Sequence, residues 1–351
     1  GYYLLRKGDF AYNKSYSKGY PLGAIKKLNN YEKGVVSTLY ICFRAKEFIS
    51  ESYMEQFFNS GKINKEIYKI AQEGARNHGL LNMSVKEFFN DIKITLPSLI
   101  EQQKLALFLS TVDKKIEQLT KKKDLLEEYK KGVMQQIFSQ ELRFKDDNGN
   151  SYPDWEEKKL GDVIEFLSDY TANGSFGALK ENVQYYSSAN YAALVRTTDL
   201  GKSVFEPQRF TDKKGYDFLK KTSLFGGEII MANVGSIGKI YKAPCAYDGL
   251  MTLAPNTYVL KFNNLINEDF IFQLMLRVNF KYKLLSMVGS STLKAINKSN
   301  LRSIKIEIPS LNEQKKIANF LSSLDSKIDL VSTQIENTKA FKKGLLQQMF
   351  V

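Results

Sequence analysis

Amide, hydroxyl and cationic side chains are concentrated in a few short segments of this sequence. In the segment 233–239, for example, Asn233, Ser236 and Lys239 are separated by two glycines. Side chains of these types hydrogen-bond to phosphate oxygens and to base edges in nucleic acids. The residues that we predict to contact nucleic acid on this basis are Asn13, Lys14, Arg76, Asn77, Arg196, Thr197, Thr198, Asn233, Ser236, Lys239, Ser290, Ser291, Thr292 and Lys294.

Each of these segments also has a purely structural interpretation, which the sequence leaves open. The segment 233–239 fits a plain hairpin turn. Arg196 fits the end of a strand, with Asp199 starting a turn. The loop 74–79, which contains the only histidine of the chain, fits ordinary polar surface.

Residue patterns typical of enzymes are missing from the sequence. The spacing in 233–239 is GxxGK rather than GxxxxGK[ST], so it does not predict nucleotide hydrolysis. Asp154 and Glu156 are almost adjacent and cannot be the separated ligands of a nuclease metal site. A single histidine excludes two-histidine metal clusters, and the Asn/Asp-Pro-Pro-Tyr/Phe motif of adenine methyltransferases does not occur. We therefore expect no catalytic residue, metal site or cofactor in this chain.

The overall charge is strongly basic, with 51 Lys and Arg against 38 Asp and Glu and a formal net charge of +13. Such an excess favours a polyanionic partner or an acidic membrane surface. No run approaches the roughly 18 apolar residues of a transmembrane helix, and the N-terminus has no signal-peptide pattern. We expect a cytoplasmic protein without a membrane partner.

An internal repeat at a shift of 212 residues organises the chain. Residues 96–138 align without gaps to 308–350, with 19 of 43 positions identical, among them Glu101/Glu313, Gln102/Gln314 and Asp113/Asp325. Each copy is preceded by a strand-like segment containing Ile92 and Ile94, or Ile304 and Ile306. Chance does not produce such an alignment, so the sequence predicts two copies of one structural unit.

Each copy of the repeat predicts a long helix. Ser98 or Ser310 stands three residues before a glutamate, which is capping-box spacing, and apolar residues then recur every three or four positions. Lys123 and Lys130 interrupt the first apolar seam, and Thr338 and Lys342 interrupt the second. At about 38 residues each, the helices are longer than usual core helices. We predict that they form an antiparallel coiled coil, although two core helices of a bundle are an alternative.

The fold class that we predict is α+β, with two recognition domains separated by the two long helices. The predicted segments are residues 1–95, 96–140 (first helix), 141–152 (linker), 153–307 and 308–351 (second helix). Basic charge is concentrated in the second part of the second domain, since 196–305 hold 17 basic and 8 acidic residues, whereas 146–195 hold 3 and 9. The first domain has no counterpart of 152–196, so we expect the chain to start inside this domain.

Motifs spread over nearly the whole chain carry a family resemblance. They are Pro153-x-Trp155, Lys159-Leu160-Gly161-Asp162, Arg196-Thr197-Thr198-Asp199-Leu200, Gly226-Gly227-Glu228-Ile229 and the duplicated Pro-x-x-x-Glu-Gln helix start. These motifs resemble the specificity subunits of bacterial type I restriction-modification enzymes.

The resemblance implies a non-catalytic subunit that recognises double-stranded DNA. In that family, two target-recognition domains each read half of a gapped site, and the repeated helices dock two methyltransferase subunits. Restriction subunits complete the complex, and S-adenosylmethionine, ATP and Mg would be used through the other subunits. An RNA-binding protein or a coiled-coil interaction scaffold is the alternative. The aromatic RNP strand of many RNA-binding proteins is missing, and a scaffold leaves the basic bias of 196–305 unexplained.

Overall fold

The computed structural model describes residues 1–73, 81–201, 204–288 and 295–350. They form two compact units, Gly1–Glu127 with Lys327–Val351 (unit 1) and Glu128–Ser326 (unit 2). Both boundaries fall inside long helices, so each helix contributes residues to both units. The domain limits expected from the sequence, which set the helices apart from the globular parts, stay a prediction.

Unit 1 combines small antiparallel sheets with short helices. The elements up to the first long helix are β1 (Tyr2–Arg6), β2 (Phe10–Asn13), β3 (Ala24–Lys27), β4 (Lys33–Ser37), β5 (Ile41–Phe43), α1 (Glu51–Ser60), α2 (Asn64–Ile70), β6 (Gln72–Glu73), β7 (Leu81–Asn82), α3 (Val85–Asp91) and α4 (Leu99–Phe138). β2 is the central strand of a sheet with the order β3-β2-β5. β1 pairs with β4, and β6 pairs with β7.

The core of unit 1 is largely aromatic. Phe10 and Tyr12 of β2 point to the same side of the sheet, because alternate residues of a strand share a face, and both are fully buried. Tyr12 stacks on Phe88 of α3, with ring centroids 5.4 Å apart. Phe350, next to the end of the second long helix, packs against Tyr53 of α1 at 5.3 Å. The end of that helix therefore belongs to the core of unit 1.

Unit 2 holds more strands and ends in the second long helix. Its elements are β8 (Glu156–Lys159), α5 (Leu160–Val163), β9 (Ile164–Asp169), α6 (Phe176–Asn182), β10 (Ala192–Val195), β11 (Phe210–Thr211), α7 (Lys213–Phe218), β12 (Ser223–Leu224), β13 (Ile229–Ala232), β14 (Ile240–Lys242), β15 (Leu250–Leu253), β16 (Thr257–Phe262), α8 (Glu268–Met275), α9 (Val278–Ser286), α10 (Lys298–Arg302), β17 (Lys305–Ile308) and α11 (Leu311–Met349).

In the described residues of unit 2, the strands form two four-stranded sheets and one strand pair. Their strand orders are β11-β10-β15-β12, β14-β13-β16-β9 and β17-β8. All pairings are antiparallel except that of β10 with β15. β10 and β13 are buried along their whole length, which explains why their sequences are continuously apolar rather than alternating.

The two long helices run antiparallel inside each unit. In unit 1, Leu119 of α4 packs with Val331 and Ile335 of α11. In unit 2, Val133 and Ile137 of α4 share a core with Ile317 of α11. As numbers rise along α4, the numbers of the contacting residues fall along α11, and the buried positions follow the predicted seam.

The α+β class and the two long helices are confirmed, but two local predictions are wrong. Ile306 lies in β17, whereas the segment with Ile92 and Ile94 is not a strand. A strand needs ladder hydrogen bonds, and no partner segment pairs with it in the described residues of unit 1. The capping box at the second long helix is only half formed: the Ser310 hydroxyl accepts from the N–H of Glu313 at 3.5 Å, but the Glu313 carboxylate bonds to Arg143 and not back to Ser310.

Neither a membrane helix nor a metal cluster occurs in the part of the chain that the structure describes. No helix there combines the length and the apolar character needed to cross a bilayer. Across the same residues, His, Cys, Asp and Glu side chains do not gather in groups of three or more that could hold a metal ion.

Candidate nucleic-acid interface

The same β-hairpin is built in both units. The strand order β3-β2-β5 of unit 1 matches β14-β13-β16 of unit 2, and all these pairings are antiparallel. Lys14 follows the end of β2, and Asn233 follows the end of β13. Two groups of predicted contact residues therefore occupy the loops of equivalent hairpins.

Each hairpin loop is tied to a segment that is distant in sequence. The backbone N–H of Leu81 donates to the carbonyl of Lys14 at 3.1 Å, and that of Ile296 donates to the carbonyl of Asn233 at 3.0 Å. Val234 and Ala295 also form an isolated β-bridge. The two connections are duplicates of each other, so the chain returns to the hairpin loop in the same way in both units.

The segments just before these connections contain six predicted contact residues. Arg76 and Asn77 lie in 74–80, and Ser290, Ser291, Thr292 and Lys294 lie in 289–294. All six, together with His78, are outside the described residues.

The loop between β13 and β14 is a tight turn that exposes a hydroxyl and a cation. Its backbone bends at Gly235 and Gly238, with φ angles of 72° and 80°, a region that favours glycine. The N–H of Lys239 donates to the carbonyl of Ser236 at 3.1 Å, and both side chains are exposed. The backbone of 233–239 therefore forms the hairpin turn that the sequence allowed. In this turn the exposed side chains of Ser236 and Lys239 are accessible to a ligand.

Asn233 is placed differently from the other residues of this loop. It is half-buried, and its N–H donates to the carbonyl of Asn256 at 3.2 Å. Its buried Oδ1 has no hydrogen-bond partner among the described residues. This carbonyl oxygen is an acceptor that the described part of the fold does not use.

The equivalent loop of unit 1 holds its polar side chains more firmly. The Lys14 ammonium donates to the carbonyl of Met83 at 3.0 Å, and the Asn13 side chain accepts from the N–H of Ser15 at 3.0 Å. Only glycine fits at position 23, because a Cβ would lie 2.1 Å from the carbonyl oxygen of Asn13. This close approach fixes the path of the loop.

Arg196 is engaged in an ion pair. Its Nε and one Nη donate to the two carboxylate oxygens of Asp199, at 2.9 and 2.6 Å, and the Asp199 side chain is only 2% exposed. Its hydrogen bonds to the Asp199 carboxylate raise the pKa of Arg196 above its ordinary value. Thr198 donates to the same carboxylate at 3.3 Å, whereas Thr197 is half-buried.

Arg209 is a cation that the sequence reasoning missed. It is exposed and lines a cavity of about 140 Å³ together with Arg196 and Tyr185. No sequence pattern distinguishes Arg209 from the other basic residues of 196–305. The antiparallel pairing of β10 with β11 brings it near Arg196.

A polar network fastens unit 2 to its long-helix segments. The carboxylate of Asp325 on α11 accepts from Gln273 of α8 at 2.8 Å and from Lys130 of α4 at 2.5 Å. Nearby, the Gln314 side chain accepts from the N–H of Asn267, the cap of α8, at 2.8 Å. Asp325 is thus a point at which three helices of this unit are held together.

Unit 1 repeats this network with its own residues. Asp113 accepts from Gln56 of α1 at 2.9 Å and from Lys342 of α11 at 2.6 Å. Gln102 accepts from the N–H of Ser50, the cap of α1, at 2.9 Å. Two of the lysines that interrupt the apolar seams, Lys130 and Lys342, are therefore the partners of the repeated aspartates, and the identity of these aspartates in the two repeat copies was the signal for them.

Comparison with known proteins identifies the family. A family model described as the type I restriction modification DNA specificity domain matches residues 152–339, more than half of the chain. The chain belongs to this family. The resemblance inferred from the motifs is thereby confirmed.

Two curated relatives of this specificity subunit come from Methanocaldococcus jannaschii. The type I restriction enzyme MjaVIII specificity subunit is 26% identical over 325 residues, which are 90% of this chain and 73% of the relative. The putative type I restriction enzyme MjaX specificity subunit is 27% identical over 293 residues, 80% of this chain and 63% of the relative. The specificity subunit thus spans less than two thirds of the length of the MjaX relative.

Solved structures share the fold of this specificity subunit. The S subunit of the type I restriction-modification system of M. genitalium aligns with a TM-score of 0.54 at 15% identity, covering 99% of this chain and 84% of that chain. A chain from a study of complex assembly and conformational transition of the type I restriction-modification system aligns with a TM-score of 0.53 at 15% identity, covering 99% and 82%. At this identity the likeness supports the fold alone.

Proposed function

We propose that this specificity subunit recognises a bipartite, gapped double-stranded DNA target, with each unit reading one half-site. The observation that carries the proposal is the duplicated hairpin, whose loop receives the same long-range backbone connection in both units. Repeated recognition modules are suited to two half-sites. The basic charge of 196–305 supplies the attraction to phosphate.

Direct contact with DNA is assigned first to the exposed side chains of the unit 2 loop. Ser236 and Lys239 are unengaged by other side chains of the described residues, whereas Lys14 and Arg196 already hold protein partners. A hydroxyl and an ammonium group on a tight turn match the donors that contact phosphates. The other predicted contact residues remain part of the proposal.

Lys239→Ala tests this assignment in the subunit assembled with its own methyltransferase. Losing one phosphate contact should weaken DNA binding and reduce the slope of log affinity against log salt by about one unit. Lys180→Ala, which removes another exposed lysine of unit 2, is the matched control and should leave the slope unchanged. Fluorescence anisotropy across a salt series measures both, and equal slopes for Lys239→Ala and the parent would refute the assignment.

We further propose that the long helices dock two methyltransferase subunits, which bring S-adenosylmethionine, while restriction subunits bring ATP and Mg. Tyr129 and Phe341 occupy equivalent repeat positions on α4 and α11, and they are 53% and 55% exposed. Exposed aromatic residues of this kind are typical anchors of protein interfaces. Their duplication supports two copies of the same partner.

Replacing both anchors tests this docking. We expect Tyr129→Ser with Phe341→Ser to lose methyltransferase on co-purification, because each substitution removes an apolar anchor from a docking surface. Tyr68→Ser, which removes a 74% exposed tyrosine of α2, is the control. Full retention of methyltransferase by the double variant would contradict the docking proposal.

A further inference from the structure

A second recessed region of unit 2 lies apart from the hairpin loop. A cavity of about 430 Å³ forms where the end of α4, the start of α9 and the strand β17 meet. None of its lining residues belongs to the segment 233–239. Its lining includes Arg277, Lys283, Lys305 and Glu307, so cations outnumber the one carboxylate.

Arg277 is held in this cavity without a direct ion pair to any described residue. Its guanidinium lies over the ring of Phe138, 4.6 Å from the ring centroid. Among the described residues, no acceptor hydrogen-bonds to its side chain, and no carboxylate oxygen lies within 4 Å. Burial lowers the pKa of Arg277, which means that the surroundings disfavour its charge. A half-buried arginine in this condition is stabilised by an anion.

The neighbouring Glu307 compensates Arg277 only in part, because burial lowers the pKa of Arg277 more than the charge of Glu307 raises it. The Glu307 carboxylate accepts from the Gln140 side chain at 3.0 Å. Lys305 pairs with Glu157 at 2.7 Å, whereas the Lys283 ammonium donates only to the backbone carbonyl of Lys305 in the described structure. Two cations of the lining, Arg277 and Lys283, therefore lack a carboxylate partner within the described residues.

The backbone adds donors to the same wall. α9 begins at Val278 without a side-chain cap, and Asn279 and Phe280 of its first turn line the cavity. The first N–H groups of a helix have no intrahelical acceptor and carry partial positive charge. These N–H groups add to the preference for an anion that Arg277 and Lys283 give the cavity.

We propose that this cavity binds the phosphate group of a small phosphorylated molecule. Phosphate oxygens match two cations that have no carboxylate oxygen in direct contact, and the planar guanidinium donates to phosphate oxygens in pairs. A recess of about 430 Å³ fits a small molecule. The phosphate of a DNA strand has the same chemistry, so the experiment includes an arm that separates the two sources.

Trp155, the only tryptophan of the chain, provides the signal for the test. Its ring lies 6.1 Å from that of Phe138, the ring under Arg277. The purified chain is titrated with inorganic phosphate at constant ionic strength while tryptophan fluorescence is followed. We expect a saturable change in the parent and in Lys281→Gln, which removes an exposed lysine of α9 outside the cavity.

Two variants of the lining decide the outcome. Arg277→Gln and Lys283→Gln should each weaken phosphate binding about tenfold or more, since each removes a cation that donates charge-assisted hydrogen bonds to the phosphate. Lys283→Gln keeps the test valid if Arg277→Gln does not fold. A parent without a saturable signal, or variants that bind phosphate as the parent does, would overturn the proposal.

Competition separates the two sources of phosphate. Ribose 5-phosphate should displace inorganic phosphate, and a short duplex without a target site should not. Displacement by the duplex, or failure of the sugar phosphate to compete, would overturn the small-molecule assignment. Because the titration contains no target DNA, its failure would leave the proposed DNA recognition untouched.

Discussion

A buried carboxylate directly precedes each of the equivalent strands β2 and β13. Asp9 accepts from the N–H of Arg6 at 2.7 Å and from the Arg44 side chain at 2.6 Å. Glu228 accepts from the N–H groups of Phe225 and Gly226, at 3.0 and 2.9 Å. At the residue scale, these acids close the turns that lead into the two hairpins.

Asp9→Asn should destabilise the protein by about 1.5–3 kcal/mol at neutral pH, the usual worth of hydrogen bonds to a charged group. Burial raises the pKa of Asp9, but hydrogen bonds from Arg44 and from the Arg6 backbone lower it more, so the net pKa is depressed. A depressed pKa stabilises the fold above the unfolded value, and this stabilisation is lost as the pH falls through the folded value.

The free energy of unfolding, measured with urea at neutral pH and at a series of pH values that falls from about 4, the ordinary aspartate pKa, through the depressed pKa of folded Asp9, tests this prediction. The difference between Asp9→Asn and the parent should shrink as the pH falls through the depressed pKa of folded Asp9, because the carboxyl is then protonated in the folded chain as well as in the unfolded chain. Asp91→Asn changes an exposed aspartate at the end of α3 and serves as the control. A difference that stays constant with pH would show that the charge of Asp9 does not stabilise the fold.

At the scale of elements, the repeated aspartates determine which turns of α4 and α11 face each other in each unit. Apolar seams alone allow neighbouring registers, because every heptad resembles the next. The pairs Asp325 with Lys130 and Asp113 with Lys342 favour one register. The glutamines Gln273 and Gln56 extend this choice to the helices α8 and α1.

Reversing one charge pair tests the role of the network. Asp325→Lys faces Lys130 with a like charge and deprives Gln273 of its acceptor, so we expect a loss of about 1–3 kcal/mol. Adding Lys130→Asp should restore part of this loss, because the ion pair is re-formed while the bond to Gln273 is not. A double-mutant cycle of unfolding free energies gives the coupling.

The matched control combines Asp325→Lys with Lys131→Asp. Lys131 is the exposed neighbour of Lys130, and its replacement should rescue nothing. Equal rescue by both second substitutions would mean that only the net charge of the helix matters.

At the scale of the whole molecule, the proposed function implies that the length of the two long helices sets the length of the gap between the two half-sites of the DNA target. Seven residues can be added to α4 after Gln118 and seven to α11 after Glu336. The apolar seam is preserved, because each helix gains one complete heptad, or two helical turns. The helices lengthen by about 10 Å, which corresponds to about three base pairs. Methylation mapping of the reconstituted complex should show unchanged half-sites and a gap longer by about that amount.

A one-sided insertion is the control for this experiment. Four residues added to α4 alone shift its seam out of phase with α11 and should lower stability rather than change the gap cleanly. An unchanged gap after the paired insertion, or altered bases in the half-sites, would show that the helices do not set the distance.

The sequence by itself determined the features that depend on how residues are spaced along the chain. The 212-residue shift, the apolar seams and the starts at Ser98 and Ser310 sufficed to predict two long helices and an α+β architecture. Periodicity and capping depend on residues only a few positions apart, so they can be read without knowing the fold. The same local motifs carried the family resemblance.

Tertiary structure decided what the polar residues do, because their partners are far away in the chain. Glu313 has capping-box spacing, yet it binds Arg143, 170 residues earlier. In the sequence, Lys130 interrupts the apolar seam. The structure shows that it pairs with Asp325 of α11 and so helps to hold the two long helices together. The equivalence of Lys14 and Asn233 follows from the backbone hydrogen bonds that their carbonyls accept from Leu81 and Ile296. Contacts of this kind form because folding brings distant segments together, and residue spacing does not encode them.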